Sequence, residues 1–229
     1  MKRSPRPRAT AELCKSLRQR LNSYALAASA AGVGVLALVQ PAEAKIVYTP
    51  THKTIRVHQH YNLDFNRDGI TDFTLQITTS HQSEHFYFTT LGVLSPKNNA
   101  VVGGKTHTYG RGPYAFALQR GAVVGPKQQF PGKLMALAGT DDGFSVYVGQ
   151  WLNVKNRYLG LKFQINGKTH FGWARLSVVS TKISITSATL TGYAYETTPN
   201  KPIIAGKTKG PEETASETGT LGALARGAK

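Results

Sequence analysis

Apolar and polar residues alternate along much of this chain. Tyr61, Leu63 and Phe65 are separated by polar neighbours, and Phe73, Leu75 and Ile77 repeat the pattern. A period of two belongs to a strand with one face buried, and no heptad or long helical period competes with it. The text from Lys45 to about Gly206 is rich in Val, Ile, Thr, Tyr and Phe and broken by Gly, Asn, Asp and Pro. It predicts strands at 55–65, 72–79, 85–94, 114–118, 144–148, 158–164, 169–179 and 183–195. Residues 95–113 read as long loops, and 127–138 as a short helix or an irregular segment. Many short strands with turns between them predict an all-β fold, an antiparallel, jelly-roll-like β-sandwich.

The sharpest element is the hairpin from Tyr158 to Arg175. Asn166-Gly167 fits a two-residue turn, which would set Phe163 beside His170 and Leu161 beside Gly172. A three-residue loop, Ile165 to Gly167, sets Leu161 beside Phe171 and Leu159 beside Trp173. Lys162, Gln164, Lys168 and His170 then share the opposite face. Register follows the hydrophobic pattern when one face is buried, so the three-residue loop is the expectation. Trp173 reads as a core residue.

Between two predicted strands runs Asp64-Phe65-Asn66-Arg67-Asp68-Gly69-Ile70-Thr71-Asp72. Oxygen-bearing side chains fall at alternate positions, followed by a glycine and a further aspartate. Calcium is a hard cation that takes six to eight oxygen ligands from such loops. Asp64, Asn66 and Asp68 can converge on one ion, Gly69 permits the turn, Ile70 can offer its carbonyl and Asp72 can close the site. The predicted cofactor is therefore a structural Ca2+. The pattern departs from an EF-hand, since Leu75 holds the twelfth position and the flanks are strands. The competing reading is a plain turn, because Asn, Asp and Gly dominate turns without any metal.

Ahead of the β-rich text lies a segment with the marks of an export signal. Residues 1–20 hold seven basic residues against Glu12, an apolar run follows from Tyr24 to Val39, and Ala42-Glu43-Ala44 is a small-x-small cleavage pattern. The run is 16 residues, short of the roughly 20 needed to span a bilayer as a helix. Residues 1–44 are thus expected to be a signal peptide, with the product secreted or at the cell surface. An uncleaved signal anchor is the other reading. The single cysteine, Cys14, lies in this leader, so the mature chain of about 185 residues has no disulfide available. That length suffices for one core, and a bound cation would add stability by favouring the folded form.

The whole chain has 28 basic and 12 acidic residues. Taking away the leader's seven and two leaves 21 and ten, a net charge of +11. A basic surface attracts polyanions. Export argues against nucleic acid and leaves an acidic polysaccharide or an anionic envelope surface as the candidate partners. A basic protein that is simply soluble is the reading ahead of either, and the protein itself is expected to be a monomer.

Gly172-Trp173-Ala174-Arg175-Leu176, then Gly192-Tyr193-Ala194-Tyr195-Glu196, then Pro199 to Gly206 resembles the end of a group of uncharacterised bacterial exported proteins. The resemblance covers most of residues 45–206 and implies no activity. Members often carry a calcium-loop-like segment near the mature start, and many end in a PEP-CTERM-type sorting tail. Here Pro211-Glu212 and Leu221 to Ala225 look like the beginning of such a tail. Arg226 interrupts the apolar run and the sequence ends at Lys229, so the tail reads as a remnant without membrane-spanning length. Residues 207–229 are expected to be disordered.

A catalytic set is hard to assemble. His81-Gln82-Ser83-Glu84-His85 matches the His-x-x-Glu-His string of inverted zinc peptidases. That chemistry needs a helix to bring both histidines to one zinc, and the sequence that follows is strand-like. His58 and His60, two apart on a predicted strand, would share a face but lack a third ligand. Glu84 and Glu196 could pair as in a glycosidase only if the fold brought them together. Asp141-Asp142-Gly143 reads as a turn. No catalytic residue is assigned, and the leading expectation is a non-enzymatic, exported, calcium-stabilised protein. The alternatives are a carbohydrate-binding module, with Trp151, Tyr109 or Tyr114 as exposed stacking faces, and a secreted hydrolase.

Cleavage after Ala44 is a direct test of the export reading. N-terminal sequencing of secreted material is expected to begin at Lys45, and a mature protein that keeps the leader would contradict it.

Overall fold

A computed structural model describes residues 45–83, 85–96, 98–104 and 112–210. The expected signal peptide, most of the expected disordered tail, Glu84 and Tyr109 lie outside the described residues. Fourteen strands are present among those described. They are β1 (Ile46–Arg56), β2 (His60–Leu63), β3 (Phe73–Ser83), β4 (Phe86–Leu94), β5 (Ala100–Val101), β6 (Gly103–Gly104) and β7 (Tyr114–Ala115). The rest are β8 (Val123–Val124), β9 (Leu134–Asp141), β10 (Phe144–Val148), β11 (Arg157–Ile165), β12 (Lys168–Ser180), β13 (Ile185–Glu196) and β14 (Ile203–Ile204).

The expected all-β class and sandwich hold. One sheet has the order β1-β13-β12-β11-β5, and the other β2-β3-β4-β9-β7-β6 with β10 added beside β9. Pairing is antiparallel except for a single parallel match of Tyr114 with Leu134. The main core fills the space between the sheets. Phe73, Leu75, Ile77, Leu91 and Val93 face Leu159, Leu161, Phe163, Ala174, Leu176 and Leu190. Burying each of the Val, Leu, Ile and Phe side chains among them contributes about 1.5–3 kcal/mol.

A second apolar cluster lies on the other face of the first sheet. Phe171, Trp173, Ala194 and Ile46 are covered there by Val124, Ile203 and Ala205, with Phe116, Leu118 and Phe130 packed around them. The covering segment is held by its own two-stranded sheet, β8 with β14. The first sheet is therefore apolar on both faces.

That fact corrects the expected hairpin register. The loop is the two-residue Asn166-Gly167 turn, with Phe163 paired to His170, Leu161 to Gly172 and Lys162 to Phe171. Leu161 and Phe171 thus sit in different clusters on opposite faces. His170 is buried rather than exposed. Because both faces are covered, the apolar pattern does not choose between registers, and turn chemistry decides. Asn166 and Gly167 both have positive φ, 50° and 73°, as the tight hairpin turn demands. Trp173 is fully buried, as expected.

Other expectations shift by less. The strand predicted from 55 to 65 is two strands, separated by a turn in which His58 has φ 63°. The start of β1, from Ile46, carries mixed burial and gave little period-two signal. Residues 134–141, partly expected as a helix, form β9 instead. Met135, Ala136 and Ala138 are helix formers by propensity, but β9 is paired with β4 on one side and β10 on the other, and tertiary pairing overrides propensity. The turn at Asp142-Gly143 is present between β9 and β10.

The two sheets meet where the chain passes from β5 in one to β6 in the other. Gly103 and Gly132 allow this. A Cβ on Gly103 would lie 2.4 Å from the Tyr114 carbonyl oxygen and 2.8 Å from Gly132 Cα, both main-chain atoms. Gly103→Ala is expected to cost about 1–3 kcal/mol, because the backbone must move apart. Gly92→Ala is expected to be neutral or stabilising by about 0.4–1 kcal/mol, since its Cβ would meet nothing nearer than 3.8 Å. Urea unfolding of the two variants measures the contrast.

Candidate metal loop and its surroundings

The segment Asp64–Asp72 leaves β2 and returns into β3. Its base is closed twice. The Asp72 N–H donates to the Leu63 carbonyl at 2.8 Å, and the Phe65 N–H donates to Asp72 Oδ2 at 2.8 Å. The side chain of Phe65 turns inward and is 1% exposed. Its ring lies 4.7 Å from that of Phe163 and 5.1 Å from that of Tyr193. The apolar residue inside the acidic string thus anchors the loop, and its acidic neighbours are turned the other way by the alternation of an extended chain.

The carboxylates organise the loop's main chain. Asp64 Oδ1 accepts from the Arg67 N–H at 2.7 Å and Oδ2 from the Gly69 N–H at 2.9 Å. Asp68 Oδ1 accepts from the Ile70 N–H at 2.8 Å, and Oδ2 from Asn66 Nδ2 at 2.8 Å. Such bonds are the ones Asp uses to shape turns. Arg67 and Gly69 adopt positive φ, 60° and 84°. The Ile70 side chain points to solvent.

Neighbouring elements hold this loop. Asn99 donates to the Asp72 carbonyl at 3.0 Å and accepts from the Gln164 N–H at 3.2 Å, tying β3 to β11. The Tyr193 hydroxyl donates to the Asp64 carbonyl at 3.4 Å. Asn99 was not legible as a site residue. It stands in a stretch of Lys, Asn and Gly that carries no period, and its partners are 27 and 65 residues away.

Two observations bear on a cation. Asn66 Oδ1 is buried and accepts no hydrogen bond, whereas most buried polar atoms have a partner. Asp72 is 6% exposed. Burial, reinforced by the charges of Asp64 and Asp68, raises its pKa to about 6 against the lowering effect of the Phe65 N–H. An oxygen without a donor and a carboxyl crowded by two others both suit a hard cation. Against that, the carboxylate oxygens are turned onto main-chain N–H groups. Among the described residues no group of three or more His, Cys, Asp or Glu side chains is gathered as a metal site.

The other candidates separate. His81 lies within β3, two residues before its end, and His85 in the turn before β4, so the two histidines are carried by a hairpin and not by a helix. The His81 ring packs 4.6 Å from that of Tyr87. His58 lies in the turn before β2, 3.2 Å from the Thr79 hydroxyl, and does not share a strand with His60. Glu196 is buried and accepts from the Thr198 N–H at 3.0 Å. Trp151 and Tyr114, expected as exposed stacking faces, are both buried, and Trp151 Nε1 donates to the Ala115 carbonyl at 3.2 Å. Their burial follows from the covering of the sheet junction, which no local pattern announces. No helix among the described residues is long and apolar enough to cross a membrane.

Neither family models, nor curated proteins, nor solved structures give a match to this chain.

The raised Asp72 pKa has a consequence for the cation-free protein. Its ordinary value is 3.8 and its folded value about 6, so folding favours the protonated form. The stabilising effect is complete below the ordinary value and is lost as the pH rises through the folded one. Solvent screening keeps the contribution of this carboxyl below the roughly 3 kcal/mol that the whole shift would give. In chelator, stability is expected to fall between about pH 4 and 6, and Asp72→Asn to flatten that slope. Urea midpoints across this range provide the measurement.

Proposed function

We propose that this chain is exported and works outside the cytoplasm as a non-enzymatic β-sandwich stabilised by calcium, with an acidic polysaccharide or an anionic envelope surface as its partner. The observation that carries the calcium part is the buried, partnerless Asn66 Oδ1 beside three aspartates. Asp64, Asn66, Asp68 and Asp72 would hold the ion by side-chain oxygens and Ile70 by its carbonyl. The ion supplies positive charge that offsets the mutual repulsion of the carboxylates. The chain's own contribution is to fix the loop. Phe65 pins its inner side, Asp72 closes its base, and Asn99 and Tyr193 clamp its flanks.

Export rests on the basic leader, the apolar run and the Ala42-Glu43-Ala44 pattern, together with the resemblance to bacterial exported proteins. The absence of cysteine after residue 44 gives a bound cation a plain role, since no disulfide can staple the mature chain. The non-enzymatic part is supported by the placement of the His81–His85 string on a hairpin, where the two rings are not offered from consecutive turns of one helix.

A cation that binds only the folded form contributes roughly 2.7 kcal/mol at a hundred times its dissociation constant. Thermal unfolding in calcium and in chelator tests this. Calcium is expected to raise the midpoint of the wild type. Asp68→Ala is expected to lose most of the gain, and Arg67→Asn, which tolerates the positive φ at that position, to keep it. A wild-type midpoint that does not respond to chelator would leave the segment as a turn.

A further inference from the structure

On the outer face of the second sheet, Gln76, Gly92 and Leu134 are paired in one row across β3, β4 and β9. Residues directly opposite on neighbouring strands share a face, so a glycine stands between two residues with side chains. A trough results. It opens into a cleft of about 470 Å³ whose other wall is formed by Phe130 and Lys133. Gly92 has no left-handed φ, and a Cβ there would come no closer than 3.8 Å to any atom. Neither backbone nor crowding requires glycine at this position. What it supplies is space.

We propose that this cleft binds a short acidic saccharide carrying a uronate carboxylate. The proposal builds on the reading of an exported basic protein with an acidic polysaccharide partner, and places the contact at a defined site. Its floor excludes an added peptide strand. At Gln76, β3 is paired with β2 and β4, and at Gly92, β4 is paired with β3 and β9. No edge is offered for strand addition, so side chains must read the ligand.

Those side chains suit a sugar. Gln76 and Thr90 line the cleft and make no side-chain hydrogen bond among the described residues. Amide and hydroxyl groups both donate and accept, as sugar hydroxyls do. The Phe130 ring and Leu134 offer an apolar wall for the C–H face of a pyranose. Charge then selects among sugars. Lys133 is exposed at the cleft, Lys162 Nζ lies 5.1 Å from the Phe130 ring centroid, and no described Asp or Glu lines the space. A phosphoryl group is served by an arginine fork or by converging main-chain N–H groups at a helix N-terminus. The described cleft residues include neither arginine nor a helix, and a carboxylate needs less.

Calorimetry and amide-shift mapping on the secreted protein at 0.15 M salt provide the test, with trigalacturonate, neutral galactotriose and galactose 6-phosphate as probes. Trigalacturonate is expected to bind more tightly than either of the others and to shift the amides of Gly92 and Lys133. Gly92→Val, which fills the trough, is expected to weaken binding by more than about tenfold. Lys133→Gln is expected to bring trigalacturonate down to the level of the neutral trimer, and Lys53→Gln on β1 to change nothing. Should Gly92→Val not fold, the exposed Lys133→Gln carries the test. The proposal is overturned by any of four results: no binding of trigalacturonate, equal binding of the neutral trimer, tighter binding of the phosphate, or an equal loss in Lys53→Gln. Trigalacturonate binding that is unchanged in Lys133→Gln and shifts amides elsewhere likewise overturns the cleft but leaves the acidic-polysaccharide reading standing, whereas no binding at all overturns both.

Discussion

The β11–β12 hairpin carries apolar side chains on both faces, and the rest of the fold is arranged to cover them. Leu159, Leu161 and Phe163 point into the space between the sheets, where β3, β4 and β9 receive them. Phe171 and Trp173 point the other way and would be exposed without the segment that carries β8 and β14. That segment comes from two distant parts of the chain, residues 116–130 and 203–205, joined by the pairing of Ile203 with Val124. The apolar surface of one hairpin thus requires a sandwich on one side and a cover on the other. The Trp173 Nε1–H is buried among these residues without an acceptor, a cost of roughly 1–3 kcal/mol set against the burial of a large ring.

The same hairpin positions the acidic loop. Phe163 is the ring against which Phe65 packs, and the Gln164 N–H holds the Asn99 side chain that in turn bonds the Asp72 carbonyl. Tyr193 and Tyr195, on the neighbouring β13, place their rings 5.1 and 6.3 Å from that of Phe65. A loop of nine residues with three aspartates is therefore fixed by its single aromatic member. Burial of Asp72 at the base of the loop, with Asp64 and Asp68 adding to it, holds its carboxyl above the usual carboxylate range.

The cleft on the second sheet has a related origin. Where the chain crosses from β5 to β6 the sheets are drawn together, and the Val101–Gly132 bridge brings residues 130–134 against the end of β4. The junction forms a wall, and the glycine in β4 leaves the floor low. Loop and cleft share Asn99, which lines the cleft and bonds Asp72. Order in the loop and the shape of the cleft are thereby linked through one side chain.

The period-two pattern determined the all-β class and most of the strands, because alternation reports burial of one face directly. The spacing of oxygen-bearing residues marked the loop at Asp64–Asp72, and Asn166-Gly167 and Asp142-Gly143 marked two turns, because those residue types tolerate positive φ. Tertiary structure decided what depends on a second surface. The register of β11 against β12 followed its turn and not its apolar pattern, since both faces are covered. Leu134–Asp141 became a strand despite helix-forming residues, because strands on both sides take its main-chain hydrogen bonds. Trp151 and Tyr114 went inside because the sheets join above them. Asn99 and the Gly92 trough depend on residues far apart in sequence, and short-range patterns carry no record of which distant neighbour a side chain will meet.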